Sequence, residues 1–248
     1  MLGVALIALV VPLLLGLRDR AEAPTVDLTR TVTPVAHVPA QVGRRDDVSS
    51  RSGSRSTQPA HNNHALFFGD SYVIGGGYTD LRHSMAYLAS KRLDLRSVIR
   101  GVGGTGFATA NLDYDIPAYL GQVKQGALRA PNRAWVVVEG GLNDRGAAKA
   151  KVQKNARKVL TRAINRHSDA LVVLVGPVDT DGVMADTRPI VNALRRAARQ
   201  VGVPFVNAQH WLAGHYDLVG PDHVHPTPAG HRLLGRKLAK ALGHRGVG

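Results

Sequence analysis

Short, largely apolar segments alternate with longer amphipathic segments from residue 64 onward, and this alternation restricts the possible folds more than any other feature. Five of the apolar segments are predicted to be strands, at 65–68, 95–99, 134–138, 171–175 and 203–206. A strand with one solvated face alternates apolar and polar side chains, whereas apolar strands indicate a sheet that is covered on both faces. The pattern therefore predicts an α/β domain with a parallel sheet between two layers of helices.

Helices are predicted between these strands, at 81–93, 117–128, 147–166 and 187–200. The third helix places apolar side chains on one side and Lys and Arg on the other, as expected for an amphipathic helix packed on a sheet. A last helix is predicted to begin at Thr227-Pro228, because Thr is a favourable N-cap and Pro suits the first helical position.

The N-terminal quarter of the chain has a different composition. Residues 1–17 carry no charge, so residues 1–20 are predicted to be a hydrophobic leader or a membrane anchor. Residues 21–63 are rich in Pro, Ser and Arg without apolar periodicity, which predicts a flexible linker to a domain at 64–248. A leader favours an exported or membrane-anchored protein of the cell envelope or exterior, although Arg18 and Arg20 leave a cytoplasm-facing anchor open.

Composition excludes several classes of site. The chain has no Cys, so disulfides, thiolate zinc sites and cysteine nucleophiles are excluded. The Gly-rich segment 101–106 lacks the dinucleotide-binding spacing, and no phosphate-binding loop motif is present. The formal net charge of +14 favours an anionic envelope polymer or lipid surface as a neighbour, or reflects the Arg usage of a GC-rich genome. No specific nucleic-acid binding is expected.

Two loops carry the side chains of a nucleophilic site. Ser71 directly follows the first predicted strand, and Asp222 lies three residues ahead of His225, just before the last helix. A serine hydroxyl is a weak nucleophile unless a base removes its proton, and His is the usual base near neutral pH. The base in turn needs a third group that holds its tautomer, which a nearby Asp supplies.

Two further loops carry hydrogen-bond donors. Gly104 follows the second predicted strand, and Asn143 follows the third. Acyl transfer generates an oxyanion, which backbone N–H groups of a Gly-rich turn and an Asn amide can stabilise. Taken singly, such residues more often form a turn or cap a strand end.

The four loops occur in the order of the motifs of the SGNH (GDSL-type) hydrolase family, which residues 64–242 resemble. The matching motifs are Phe68-Gly69-Asp70-Ser71, Gly101-Val102-Gly103-Gly104, Gly141-Leu142-Asn143-Asp144 and Asp222-x-x-His225-Pro226-Thr227. The resemblance implies a three-layer α/β/α, flavodoxin-like domain with five parallel strands. It also implies a serine ester hydrolase without a cofactor or a metal.

The resemblance assigns a role to each matching residue. Ser71 would be the nucleophile, His225 the general base and then acid, and Asp222 the group that orients His225. The oxyanion hole would consist of the Ser71 N–H, the Gly104 N–H and the Asn143 amide. The substrate would be a small-molecule or glycan acyl ester, and the low content of aromatic residues and Met favours a short acyl group.

Other interpretations stay open at this level. The same fold and serine could serve an acyltransferase, and the basic faces at 151–166 and 195–199 could belong to a non-enzymatic module that binds an anionic polymer. His223 could replace His225, and a metal could bind the cluster Asp222, His223, His225 and His231. Tyr72 and Phe107 either line the site or only pack. Asp70 and Asp144 are predicted to be hydrogen-bonding scaffolds of their loops.

Overall fold

A computed structural model of the chain describes residues 63–130, 135–180 and 186–244. Five parallel strands form one sheet: β1 (His64–Gly69), β2 (Arg96–Gly101), β3 (Trp135–Glu139), β4 (Leu171–Val175) and β5 (Phe205–Val206). Their order is β2-β1-β3-β4-β5, which is the flavodoxin-like doubly wound order. The predicted parallel sheet and fold class are confirmed.

Within these described ranges, six α-helices flank the sheet: α1 (Ser71–Ile74), α2 (Met85–Arg92), α3 (Tyr119–Lys124), α4 (Lys149–Arg166), α5 (Arg188–Val201) and α6 (Pro228–Gly243). The helix predicted at 81–93 is divided, because Ser84 caps α2 and Asp80 caps a separate 3-10 turn at Leu81–His83. The helix predicted at 117–128 is shorter than expected, since it ends at Lys124. The last helix begins as predicted: Thr227 accepts a hydrogen bond from the Gly230 N–H at 3.2 Å.

The core lies on both faces of the sheet, because successive side chains of a strand point to opposite sides. In β1, Ala65 and Phe67 belong to the core beneath α2 and α6. Leu66 and Phe68 belong to the core beneath α4 and α5. All four are buried, which explains why the strand has no polar alternation.

The predicted leader (1–20) and almost all of the predicted linker (21–63) lie outside the described residues, so these boundaries stay predictions. Within the described ranges, no helix has the length and apolar character that crossing a membrane would require.

The buried side chain of His231 connects helices α2 and α6, which lie on the same face of the sheet, and it makes the stability of the fold depend on pH. The Nδ1 of His231 accepts a hydrogen bond from the Met85 N–H at 3.3 Å, and the side chain is fully buried. Burial, assisted by the charge of His225, lowers the pKa of His231 from 6.5 to about 4. The unfolded chain therefore takes up this proton first as the pH falls, and stability is lost below about pH 6.5.

We expect the free energy of unfolding to fall by about 2 kcal/mol from this residue alone between pH 7 and pH 5. Urea unfolding at the two pH values measures the loss. The variant His231→Asn keeps an acceptor for the Met85 N–H but cannot titrate, so the pH dependence should shrink by that amount. An unchanged pH dependence in the variant would show that other groups cause it.

Candidate active site

Ser71 is held at the carboxyl end of β1 by its neighbours in sequence. Asp70 is the N-cap of α1, and its side chain accepts a hydrogen bond from the Tyr72 N–H at 3.0 Å. Glycine is required at position 69, because a Cβ there would lie 2.5 Å from Val73 and 2.9 Å from the Glu139 carbonyl oxygen. The strand can therefore turn sharply into α1, with Ser71 as the first helical residue, 7% exposed.

The Asp222–His225 loop meets Ser71 across 154 residues of sequence. The Nε2 of His225 lies 3.0 Å from Ser71 Oγ, and its Nδ1 lies 2.6 Å from Asp222 Oδ2. The other carboxylate oxygen, Oδ1, accepts the N–H groups of Val224 and His225 at 3.0 and 2.9 Å. The structure thus brings together the three residues that the sequence predicts for a nucleophile, a base and an orienting carboxylate.

The hydrogen bonds keep Asp222 ionised. Partial burial alone would raise the pKa of Asp222, but the hydrogen bonds from His225 and the Val224 N–H outweigh it and hold that pKa below its usual range. An ionised Asp222 fixes the Nδ1 proton of His225 and leaves Nε2 free to accept the proton of Ser71.

Three side chains from other elements support the same loop. Tyr72 donates from Oη to the Val224 carbonyl oxygen, and Thr180 donates from Oγ1 to the His223 carbonyl oxygen at 3.0 Å. The Asp222 N–H donates to Tyr78 Oη at 3.1 Å. The loop is therefore bonded to residues that follow β1 and β4, which fixes the position of the imidazole.

His223 and His231 do not share the position of His225. His223 lies in the left-handed region at φ 55°, and its N–H donates to the Gly220 carbonyl oxygen. His231 is buried in α6 and bonded to Met85. Across the described ranges, no group of three or more His, Asp or Glu side chains is placed to hold a metal ion. The structure therefore places only His225 of the candidate histidines against Ser71.

Gly103 and Gly104 form the turn after β2 beside Ser71. A Cβ on Gly103 would lie 3.6 Å from Ser71 Cβ, and Gly104 has φ +73°, a conformation that favours glycine. Asn111 anchors the turn, since its Nδ2 donates to the Gly103 carbonyl oxygen at 2.9 Å. The turn that carries Gly104 is thus anchored beside the serine through Gly103.

Asn143 approaches the same place from the loop after β3. Its Nδ2 donates to the Thr105 carbonyl oxygen at 2.9 Å and makes a longer contact of 3.3 Å with Asp70 Oδ2. The first bond fixes the amide, whereas the second N–H is held only loosely. The two predicted donor loops therefore converge on the loop of Ser71.

Asp144 is a scaffold, as predicted. It is fully buried and accepts the Phe107 and Ala108 N–H groups, each at 2.8 Å, and the Thr109 hydroxyl at 3.0 Å. These bonds join the loop after β3 to the loop after β2. Phe107 packs against Tyr119 with ring centroids 4.9 Å apart, so it belongs to the core and does not line the site.

Sequence reasoning missed a third buried carboxyl group beside Asp70 and Asp144, that of Glu139 at the end of β3. It is 2% exposed and interacts with Asp70, which is fully buried. Burial raises the pKa of Asp70 to about 7, and burial and the adjacent Asp70 raise that of Glu139 well above its usual range. Burial beside Asp70 therefore favours the neutral form of Glu139. A Glu that ends an otherwise apolar strand was the available signal.

The arrangement has the geometry for nucleophilic attack on a carbonyl carbon. A hydroxyl, an imidazole and a carboxylate form one hydrogen-bonded chain, and the loops that carry Gly103 and Asn143 converge on the loop of the hydroxyl. This combination activates an oxygen nucleophile and stabilises the charge that attack generates.

Comparisons with known proteins identify the family. The model of the GDSL-like Lipase/Acylhydrolase family matches residues 67–233, more than half of the chain. A GDSL lipase of Mycobacterium tuberculosis is 31% identical over 202 residues, covering 75% of this chain and 84% of the relative.

Solved structures share the fold at lower identity. A carbohydrate esterase family 2 enzyme with a carbohydrate-binding domain, from Corynascus thermopiles (Myceliophthora fergusii), superposes with a TM-score of 0.62 at 22% identity, covering 76% of this chain and 68% of that one. A carbohydrate acetylesterase family member from Sinorhizobium meliloti superposes with a TM-score of 0.58 at 17% identity, covering 73% and 98%. The chain belongs to the GDSL-like lipase/acylhydrolase family and is a carboxylic ester hydrolase.

Proposed function

We propose that this chain hydrolyses a short-acyl ester through an acyl-enzyme on Ser71. The observation that carries the proposal is the continuous line from Ser71 Oγ to His225 Nε2, at 3.0 Å, and from His225 Nδ1 to Asp222, at 2.6 Å. These distances are those of hydrogen bonds that transfer a proton without a further movement of the loop.

The proposed reaction has two halves. His225 takes the proton of Ser71 as the oxygen attacks the ester carbon, and the resulting imidazolium gives that proton to the departing alcohol. Water then attacks the acyl-enzyme, and His225 takes the proton of the water and returns it to Ser71 Oγ as the acid leaves. Asp222 stabilises the imidazolium in both halves and keeps its own negative charge.

Each tetrahedral intermediate carries a negative oxygen. We assign its donors to the N–H groups of Ser71 and Gly104 and to the second, loosely held N–H of the Asn143 amide. Support comes from the fixed Nδ2–Thr105 bond at 2.9 Å, which aligns the amide before the substrate arrives. Prealigned donors stabilise developing charge because they need no reorganisation during the reaction.

Replacement of Asn143 by Ala should lower kcat much more than it changes KM. The amide is expected to bind charge that exists only in the transition state, so its loss costs about 10²–10³ in kcat, or ~3–4 kcal/mol. Steady-state kinetics on one soluble ester measure both constants. A change confined to KM would show that Asn143 binds the substrate and has no place in the oxyanion hole.

The preference for a short acyl group is supported by the packing around Ser71. Tyr72, next to Ser71, and Phe107, in the loop after β2, are buried in the core, so neither offers an exposed surface to a long acyl chain. We expect kcat/KM for p-nitrophenyl esters to be highest for acetate to butyrate and to fall with longer chains. A maximum at long chains would contradict the preference without affecting the serine mechanism.

The same assay separates hydrolysis from acyl transfer. Release of free acid in the presence of an added sugar supports the hydrolase, whereas acylation of the sugar at the expense of free acid would indicate a transferase that uses the same serine. Ser71→Ala, assayed in parallel, gives the background of either reaction.

We also propose that the enzyme is exported or anchored in the cell envelope. The proposal rests on the uncharged run at 1–17 and the Pro/Ser/Arg-rich composition of 21–63. Protease added to intact cells should cut the chain between about residues 40 and 60 and leave an active domain. A full-length protein that stays in the cytosol and resists the protease would refute the location and leave the hydrolase assignment intact.

A further inference from the structure

In the part of the chain that the structure describes, exposed large apolar side chains occur in two short segments at the carboxyl edge of the sheet. Among the residues that the structure describes, those that are large, apolar and exposed are Tyr78 and Leu81, each at 39%, Leu112 at 85% and Tyr114 at 51%. We call these four residues the apolar rim. Tyr78 and Leu81 follow α1, and Leu112 and Tyr114 lie in the 3-10 turn at Leu112–Tyr114 that follows β2. Both segments therefore lie at the carboxyl edge of the sheet.

The first segment touches the histidine side of the site. A Cβ on Gly77 would lie 2.5 Å from His225 Cβ, so the backbone here passes directly beside the imidazole. The ring of Tyr78 covers Gly220, where a Cβ would lie 1.9 Å from the ring, and its Oη accepts the Asp222 N–H. Tyr78 is thus held against the catalytic loop while part of its ring stays in solvent.

The second segment touches the oxyanion side. Asn111 and Ile116 pair as an antiparallel bridge that closes the turn carrying Leu112 and Tyr114. The Asn111 side chain donates to the Gly103 carbonyl oxygen at 2.9 Å, and Gly103 lies beside Ser71. The turn that carries Leu112 and Tyr114 is therefore anchored next to the donor loop, on the oxyanion side of the site.

Single exposed apolar residues are ordinary on protein surfaces, but a set of them around one site marks a contact surface. We propose that the apolar rim places the Ser71 site on a lipid–water surface, so that the enzyme acts on short-acyl esters presented by a lipid aggregate. The inference rests on the proposed esterase function and names the form in which the substrate is bound.

Two observations favour a lipid surface over a glycan. Leu112, the most exposed of the four, has no ring that could stack on a sugar. In addition, none of the helices α1 to α6 contains an Asp or Glu, and α2 to α6 all carry Lys or Arg, so the exposed faces of α2 to α6 are basic and complement anionic head groups. Asp113 and Asp115 flank Tyr114, so apolar contact must carry the binding at that turn.

The test compares one short-acyl ester in two physical states. Tributyrin is hydrolysed below and above its solubility limit by the full-length protein and by the double variant Leu112→Ser/Tyr114→Ser. We expect the double variant to lose about tenfold on emulsified tributyrin while its kcat/KM for the dissolved ester stays within about twofold. Thr161→Ser, at an exposed position near the C-terminal end of α4 and away from the carboxyl edge of the sheet, is the surface control and should change neither rate.

Each other outcome contradicts the proposal. Equal losses in both states would show that the turn binds single substrate molecules or supports the oxyanion loop. Unchanged rates in both states would show that Leu112 and Tyr114 contact nothing during catalysis. A loss on acetylated xylan with none on the emulsion would indicate docking on a glycan.

Binding without hydrolysis separates this proposal from the proposed function. Ser71→Ala protein, with and without the two rim substitutions, is sedimented with vesicles of phosphatidylcholine alone or mixed with phosphatidylglycerol. The N-terminal segment is the same in both proteins, so the difference in bound fraction reports the rim. Weaker vesicle binding by the variant Ser71→Ala/Leu112→Ser/Tyr114→Ser than by Ser71→Ala supports binding through the apolar rim, even if no ester proves to be a substrate. Equal vesicle binding by the two proteins refutes it.

Discussion

Ser71→Ala should abolish ester hydrolysis and leave the protein folded. The substitution removes one oxygen, whose hydrogen bond to His225 Nε2 spans 3.0 Å. Without the nucleophile, only the oxyanion donors and substrate binding remain, and by analogy with other serine hydrolases kcat/KM should fall about 10³-fold or more. Initial rates on p-nitrophenyl acetate measure the loss, with protein concentrations chosen so that a residual rate can be quantified.

A control variant must show whether the loss of activity in Ser71→Ala comes from the missing nucleophile or from a disturbed fold. Ser168→Ala removes a hydroxyl from an exposed serine whose only described side-chain bond is to its neighbour Asp169, and it should keep full activity. Both variants should unfold within about 2 °C of the wild type, because neither leaves a buried polar atom in an apolar core. A folded Ser71→Ala protein with unchanged turnover would overturn the proposed mechanism.

The sequence could predict which residues lie together at the candidate site because most of its parts are local. Ser71, Gly104 and Asn143 each follow a strand, and the carboxyl ends of parallel strands share one edge of the sheet. Asp222 and His225 lie on one tight loop, so their contact is decided within four residues. The meeting of this loop with Ser71 and the bonds of Asn143 to Thr105 and Asp70 are long-range, and the order of the family motifs supplies them.

What the sequence does not reveal depends on register and on packing across the fold. Glu139 reaches Asp70 because Phe68 pairs with Val138, which sets Gly69 beside Glu139 in adjacent strands. No local pattern predicts that register. The support of the catalytic loop by Tyr78 and Thr180 likewise joins distant segments. The division of the helix predicted at 81–93 had a local signal in the capping residues Asp80 and Ser84, which the apolar spacing of the segment obscured.

The division of the core into two layers, one on each face of the sheet, is by contrast a consequence of strand geometry alone. Successive residues of a strand face opposite layers, so a strand that is buried throughout must contact both. Because the apolar runs were long enough to identify, the layers on either side could be expected. The exposed turn at Leu112–Tyr114 could not, since it has no periodicity and its exposure depends on where the Asn111–Ile116 bridge places it.

His225→Ala should match Ser71→Ala, whereas His223→Ala should not. Without its imidazole, the enzyme has no base for the Ser71 proton and no acid for the departing alcohol, so the expected loss is again about 10³-fold or more. His223 contributes to the loop mainly through its backbone: its N–H donates to Gly220 and its carbonyl oxygen accepts from Thr180 at 3.0 Å. These bonds survive truncation of the side chain, so less than about fivefold should be lost.

The two variants test the assignment because the histidines share one loop and differ in position. His225 Nε2 faces Ser71, and the φ of 55° at His223 turns the chain between Asp222 and His225. A general disturbance of the loop would reduce kcat in both variants and lower their unfolding temperatures together. Loss of the base would reduce kcat in His225→Ala alone, at an unchanged unfolding temperature. A large loss in His223→Ala with none in His225→Ala would exchange the two assignments, and the 2.6 Å contact of His225 with Asp222 would then have no catalytic role.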